Sequence, residues 1–376
     1  MKRPIYIPHK HAGLSLIEMM IALVIGLILS VGIVQIFIAT RTAYKLSEGI
    51  ARNQESSRFA LEYIEEDLRM AGYFGCVNDQ SELRIANAVR NSITNSSGSE
   101  ATNFTTSIQG YEANGTGPGT TVTIGAMPGN WTPNLPSDIT ALNPLPGSDI
   151  LVLRFLAAPS ARVTQIQASD SGSTFSIPSD LLTNLTFDGV NSPVLYGISD
   201  CNYVDFFRAN AFSPDTAQIV TSTAITRYGM KPAEQTRLSR AESFVYFVGM
   251  NQQQRPSLYR ARYNGTNYIK EELVEGIESL QFIYGQDSQT DIINNRPTGY
   301  INYYDTAANI SGQSQWLRVG SVQVGLLVQS PETVSDDVAR NTKVLGVNYQ
   351  PPVTNDQRLR SSYEVTVALR NRLYGN

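Results

Sequence analysis

Histidine is almost missing from these 376 residues: His9 and His11 are the only two. Downstream of them the chain cannot assemble a Ser-His-Asp triad, a Cys-His pair or a histidine-ligated metal centre, which removes the commonest hydrolase and zinc-enzyme designs. Basic residues are too few for an electrostatic nucleic-acid surface: 29 Lys and Arg stand against 33 Asp and Glu, and no nucleic-acid partner is expected. No phosphate loop or dinucleotide-type glycine pattern follows a strand, so no cofactor is expected either. Carboxylate chemistry survives these exclusions, yet no pair of acids is singled out by its context. Proline is absent from His11 to Gly72, and nothing there interrupts a helix.

What the chain has in excess is one apolar run. From Met19 to Ala39 there are 21 residues without a charge, about 31 Å as a helix, the thickness of a bilayer core. Lys2, Arg3 and Lys10 precede it with no acid among them, which predicts a cytoplasmic N-terminus and an extracytoplasmic body. No A-x-A signal follows the run before Arg41, as a secretory signal peptide would require. The small residues Ala12 and Gly13 come before it instead. A cut there removes the basic leader, keeps the apolar helix and leaves 26 basic against 33 acidic residues.

Gly13 followed by Leu14-Ser15-Leu16-Ile17-Glu18 resembles the prepilin leader of type IV pilins and related pseudopilins. The resemblance implies that a prepilin peptidase cuts between Gly13 and Leu14, that Leu14 becomes the N-methylated terminus, and that Glu18 sets register against a neighbouring subunit during assembly. Leu14 departs from the phenylalanine most common at that position. Physical chemistry points to Glu18 independently, since a carboxylate in an otherwise apolar segment is costly and marks function by default. A terminal amine at Leu14, about 6 Å along the same helix, or one from an adjacent copy, offsets its burial. The plain alternative places Glu18 in the headgroup zone.

The helix is expected to continue past Arg41, because Leu46, Ile50, Leu61, Ile64 and Leu68 recur at three- and four-residue spacing with Ser57 in the missing place. Gly49 reads as a weak point, Gly26 and Gly32 as soft spots, and Gly72 with Gly75 as the end. Residues 65–76, EEDLRMAGYFGC, resemble the close of this helix in PilW-type minor pilins, as do the S-D-C segment around Cys201 and the terminal R-N-R. An even pair of cysteines in a body that faces an oxidising compartment reads as a Cys76–Cys201 disulfide, with two free buried thiols as the other reading.

Residues 91–148 turn rich in Ser, Thr, Asn, Gly and Pro and read as a loop-rich surface insertion, with Tyr111 and Trp131 as exposed aromatics for a partner. Strands are predicted at 149–157, at 243–250 and 257–263 as a hairpin with its Tyr259, Ala261 and Tyr263 face inward, at the end of 273–287, at 319–330 and at the C-terminal LRSSYEVTVALRNRL. In the last three, Leu280, Phe282 and Tyr284, then Val322, Val324, Leu326 and Val328, then Tyr363, Val365, Val367 and Leu369 line single faces. Arg358, Arg360, Arg370 and Arg372 read as solvated strand ends. Asp287 and Asp291 lack the alternation and terminal glutamate of a calcium loop.

The expected fold class is α+β: a long N-terminal helix, half transmembrane and half amphipathic, packed on a head with an antiparallel β-sheet. The expected divisions are a cytoplasmic leader (1–13), an assembly helix (14–40), its amphipathic continuation (41–72) and a head (73–376). By resemblance the chain is a non-enzymatic minor pilin that primes assembly of a type IV pilus. Its expected partners are other minor pilins, the major pilin, the prepilin peptidase and the inner membrane, with final residence in the pilus, at its tip. The alternatives are a type II secretion pseudopilin and a tip adhesin using 91–148.

Overall fold

The computed structural model describes residues 13, 15–93, 100–229, 236–289, 297–334, 340–354 and 356–372. Leu14, Asp291 and the basic leader lie outside them.

Helix α1, Leu16–Met70, is a single run of 55 residues. Ser15 starts it: its backbone is extended and its Oγ accepts the Glu18 N–H at 3.2 Å. The helix stops where the Ala71 N–H turns back to Asp67 O and Leu68 O and Gly72 takes φ +77°, a conformation that favours glycine. The buried stripe of its second half is Gly49, Asn53, Ser57, Ala60, Ile64, Asp67 and Leu68. This corrects the expected stripe at one end, because Ile50 is 41% exposed. Small residues decide the rotation there. A Cβ on Gly49 would stand 3.3 Å from Val334 Cγ2 and 3.5 Å from Ser330 Cβ, and the Asn53 amide donates to Leu359 O at 3.3 Å. Gly49 is therefore the helix's close approach to the head rather than a weak point.

Ten strands build the head's centre: β1 Ile108–Ala113, β2 Ile150–Arg162, β3 Leu195–Ser199, β4 Val204–Arg208, β5 Arg237–Met250, β6 Pro256–Tyr263, β7 Tyr268–Glu275, β8 Ile277–Gln286, β9 Val319–Thr333 and β10 Arg358–Ala368. Among the described residues the largest sheet runs Val89–Asn91, β4, β3, β5, β2, β1, Trp131–Thr132, with β6 and β7 added beside β5. A second sheet runs Tyr303–Asp305, β8, β9, β10, all antiparallel. Of the two remaining sheets, a four-stranded one packs on β3, β4 and β5 through Phe175 and Ile219, and a three-stranded one packs on Leu327 of β9.

The main core lies between the two sheets and α1. It joins Ala60, Ile64 and Leu68 to Leu151, Leu153, Phe244, Leu280, Phe282, Tyr284, Val322, Val324, Leu326 and Val328. The three alternating faces meet in register, Phe282 opposite Val324 and Val324 opposite Val365. Each fully buried Leu, Ile, Val or Phe contributes on the order of 1.5–3 kcal/mol, so this seam holds the helix to the head.

The predicted hairpin forms with Phe247 opposite Tyr259, but both faces of β6 are used. Tyr259 and Ala261 pack in a second cluster, while Leu258 joins the main core and Arg260 turns toward α1. Residues 91–148 also depart from expectation. They supply β1 to the large sheet, and Tyr111 and Trp131 are 3% and 8% exposed in the second cluster, where the Trp131 indole N–H donates to Ser148 O at 2.9 Å. The aromatics of this Gly- and Asn-rich stretch fill a core shared with Val152 of β2, Phe247 of β5 and Tyr259 of β6, and are not available to a partner.

Candidate functional site

The first half of α1 is a surface without a cover. Every large apolar side chain from Leu16 to Ile38 is more than half exposed, and the segment is long and apolar enough to cross a membrane. Among the described residues nothing in the head folds back on it. Exposure on this scale means the surface is completed by something outside the chain, a bilayer or other helices.

At its start, Gly13 is exposed and has nothing within 4 Å of where a side chain would begin. Ser15 beside it is extended, ahead of the first helical turn. Glu18 sits in that first turn, near the positive end of the helix, and forms no ion pair among the described residues.

At the other end α1 is locked to the head by polar contacts. Asp67 lies on the buried stripe, within reach of the Tyr246 hydroxyl, and Arg260 Nη1 is 3.2 Å from its Oδ2. The same hydroxyl is 3.0 Å from Tyr63 O. Burial raises the Asp67 carboxyl above its ordinary range, and the hydroxyl and guanidinium hold it partly down. The Arg260 guanidinium also stacks over Phe244, 4.9 Å from the ring centre. Just past the helix, Cys76 is joined to Cys201 with Cα atoms 4.7 Å apart, which ties the helix end to the turn between β3 and β4.

The C-terminal arginines are not all solvated ends. Arg372 Nε is 3.1 Å from Asp79 Oδ1 with both side chains fully buried, and its Nη2 donates to Trp316 O at 2.6 Å. The Arg360 side chain is also enclosed, held at 2.7 Å by Glu278 and by Asp356. Arg358 caps the carbonyls of Ser330 and Pro331. Sequence separation hid Arg372–Asp79 and Arg360–Glu278, whose partners lie 293 and 82 residues apart. Asp67 did carry a local signal: it falls on the phase of Ala60 and Ile64, and an acid on an apolar stripe needs a partner.

Asp287 is buried and accepts from Thr298 Oγ1 and the Gly299 N–H, so its oxygens serve a turn. Among the described residues no cluster of three metal-ligating side chains occurs.

Compared with models of known families, residues 245–371 match the type IV pilus-assembly protein W, and residues 8–34 match the prokaryotic N-terminal methylation motif. The first match starts within β5 and takes in β6 to β10; the second takes in Gly13, Leu14 and Glu18. No curated protein and no solved structure matches the chain.

Proposed function

We propose, from the premise that this chain is a PilW-like, prepilin-type pilin, that it acts as a minor pilin in priming assembly of a type IV pilus. The uncovered apolar half of α1, with Glu18 as its one acid, carries the reading. After cleavage between Gly13 and Leu14 the helix waits in the inner membrane. The N-methylated amine of Leu14 then becomes one of the cations available to a Glu18 carboxylate, its own or that of a neighbour. A carboxylate entering a bundle of apolar helices is stable only where it meets such a cation, so wrong axial offsets are rejected by the cost of an unpaired buried charge. The major pilin and the other minor pilins supply the neighbouring helices, and the head supplies the surfaces that choose among them. The role is structural, without catalysis.

Glu18→Gln and Glu18→Ala test this in cells. Both variants should insert in the membrane at normal level, lose co-purification with other minor pilins and reduce surface piliation at least several-fold. Normal co-purification and piliation in both variants would sink the register role. If deletion of the gene abolishes protein secretion and spares pili, the type II secretion pseudopilin reading replaces this one.

A further inference from the structure

Two carboxyl groups meet in the interior at the joint between the two large sheets. Glu112 on β1 and Asp149, one residue ahead of β2, are 5% and 2% exposed. Asp149 accepts at both oxygens: its Oδ1 takes the Ala113 N–H at 2.8 Å and its Oδ2 the Phe282 N–H at 2.9 Å, which leaves each oxygen a further lone pair. Those donors belong to β1 and to β8, one from each sheet. The neighbouring residue strengthens the joint, since Ser148 Oγ accepts the Leu280 N–H at 2.9 Å. Asp149 is therefore a bolt between the sheets, and it bonds as a carboxylate does.

Glu112 is different. Neither of its oxygens receives a hydrogen bond from a donor within reach, and both are inaccessible. The groups that act on it are Asp149, the Asp305 carboxylate beyond the edge of β8, and the Thr116 hydroxyl in the turn after β1; the Tyr284 hydroxyl on β8 and the Tyr349 hydroxyl feel both acids. None of these is a cation. An ionised Glu112 here would be a charge without a cation beside a second carboxylate, with only the Thr116 hydroxyl, which donates to Ala113 O at 2.7 Å, acting to lower it. A protonated Glu112 has one O–H to give, and Asp149 is the acceptor beside it.

We infer that Glu112 is a neutral carboxylic acid at physiological pH, that its proton is hydrogen-bonded to the Asp149 carboxylate, and that this shared proton is a pH-sensitive part of the joint between the sheets. Two carboxyls around one proton form a single interacting pair, as in other dyads where like charges cannot both ionise. Loss of the proton to solvent places two charges in the joint, and the Ala113 and Phe282 contacts loosen.

The sign of the pH dependence follows. Burial first, and the Asp149 charge second, push the Glu112 carboxyl up to about 10 from an ordinary 4.5. The unfolded chain releases this proton near pH 4.5 while the folded head keeps it, so folding takes up a proton. The contribution to stability is full below pH 4.5 and is lost progressively as pH rises toward 10, at up to about tenfold in the unfolding constant per pH unit.

The test is urea unfolding of the full chain in detergent at pH 6 and pH 9, wild type against Glu112→Gln. The amide keeps a donor for Asp149 and cannot ionise. Between these pH values the wild-type unfolding constant should rise at least about a hundredfold more than that of the variant. Amide exchange at Ala113 and Phe282, corrected for intrinsic rate, should accelerate at pH 9 in the wild type and not in Glu112→Gln. Should the glutamine variant not fold, the protonated-carboxyl stretch of the wild type in infrared spectra, present at pH 7 and gone above pH 11, reads the same proton. Parallel pH profiles with no such band overturn the inference. So does recovery of wild-type stability at pH 9 by millimolar Ca²⁺ or Mg²⁺, absent in Glu112→Gln, which would make the pair a cation site.

Discussion

Replacing Arg372 with methionine removes the cation from the most enclosed ion pair in the head. The guanidinium is held by Asp79 Oδ1 at 3.1 Å and by Trp316 O at 2.6 Å, and Gly72 closes over its aliphatic stem, where a Cβ would stand 2.7 Å from Arg372 Cγ. After the substitution Asp79 keeps the Ser107 N–H at 2.9 Å and loses its charge partner. Breaking one side of a buried pair costs about 3–5 kcal/mol, because the remaining charge stays desolvated. With an unfolding entropy of about 2.1 cal/mol/K per residue, a head of roughly 300 residues loses on the order of 5–8 °C in Tm. The full chain in detergent, unfolded by heat and by urea, is the assay. The Asp79→Leu/Arg372→Met double variant leaves no orphan charge and should recover most of the loss, as replaced buried pairs do. A single-variant loss below about 1 kcal/mol, or losses that simply add in the double variant, would refute the account of this pair as a buried, mutually dependent unit.

Loss of the disulfide in Cys76→Ser/Cys201→Ser should destabilise the head by about 5 kcal/mol in the chain-entropy model for a separation of 125 residues, and denatured, unreduced wild type should show no thiol reactive to maleimide. Tyr246→Phe removes a hydrogen bond to the Asp67 carboxylate while sparing the ring's packing, and a loss of about 1–3 kcal/mol in urea unfolding is expected. The same change in an Asp67→Asn background should cost markedly less, which ties the effect to the charge rather than to the hydroxyl alone.

The two halves of α1 show how far local pattern reads. Its existence and length follow from an uninterrupted, proline-free run, and its end from the Gly72 and Gly75 pair. Its rotation on the head does not follow. The 3.6-residue period fits a stripe through Ile50 nearly as well as one through Gly49, and the choice rests on how closely the backbone can approach Val334 and Leu359, more than 280 residues downstream. Alternation in β8, β9 and β10 was unambiguous because period two has only two phases and each strand had one apolar face. β6 was harder, since Leu258 and Ala261 give both faces something to bury.

By itself the sequence determined the N-terminal pattern: basic residues ahead of Gly13, a membrane-length helix and one acid in its first turn are all local features, fixed by composition and spacing. It also determined the α+β plan and three strand faces. Tertiary structure alone decided which charges are structural. Arg372 and Asp79, Arg260 and Asp67, and Glu112 and Asp149 come together only when distant strands and the helix end are placed, because a buried charge is defined by the desolvation and partners that the whole fold supplies. The same reason moved Tyr111 and Trp131 from a presumed partner surface into the core.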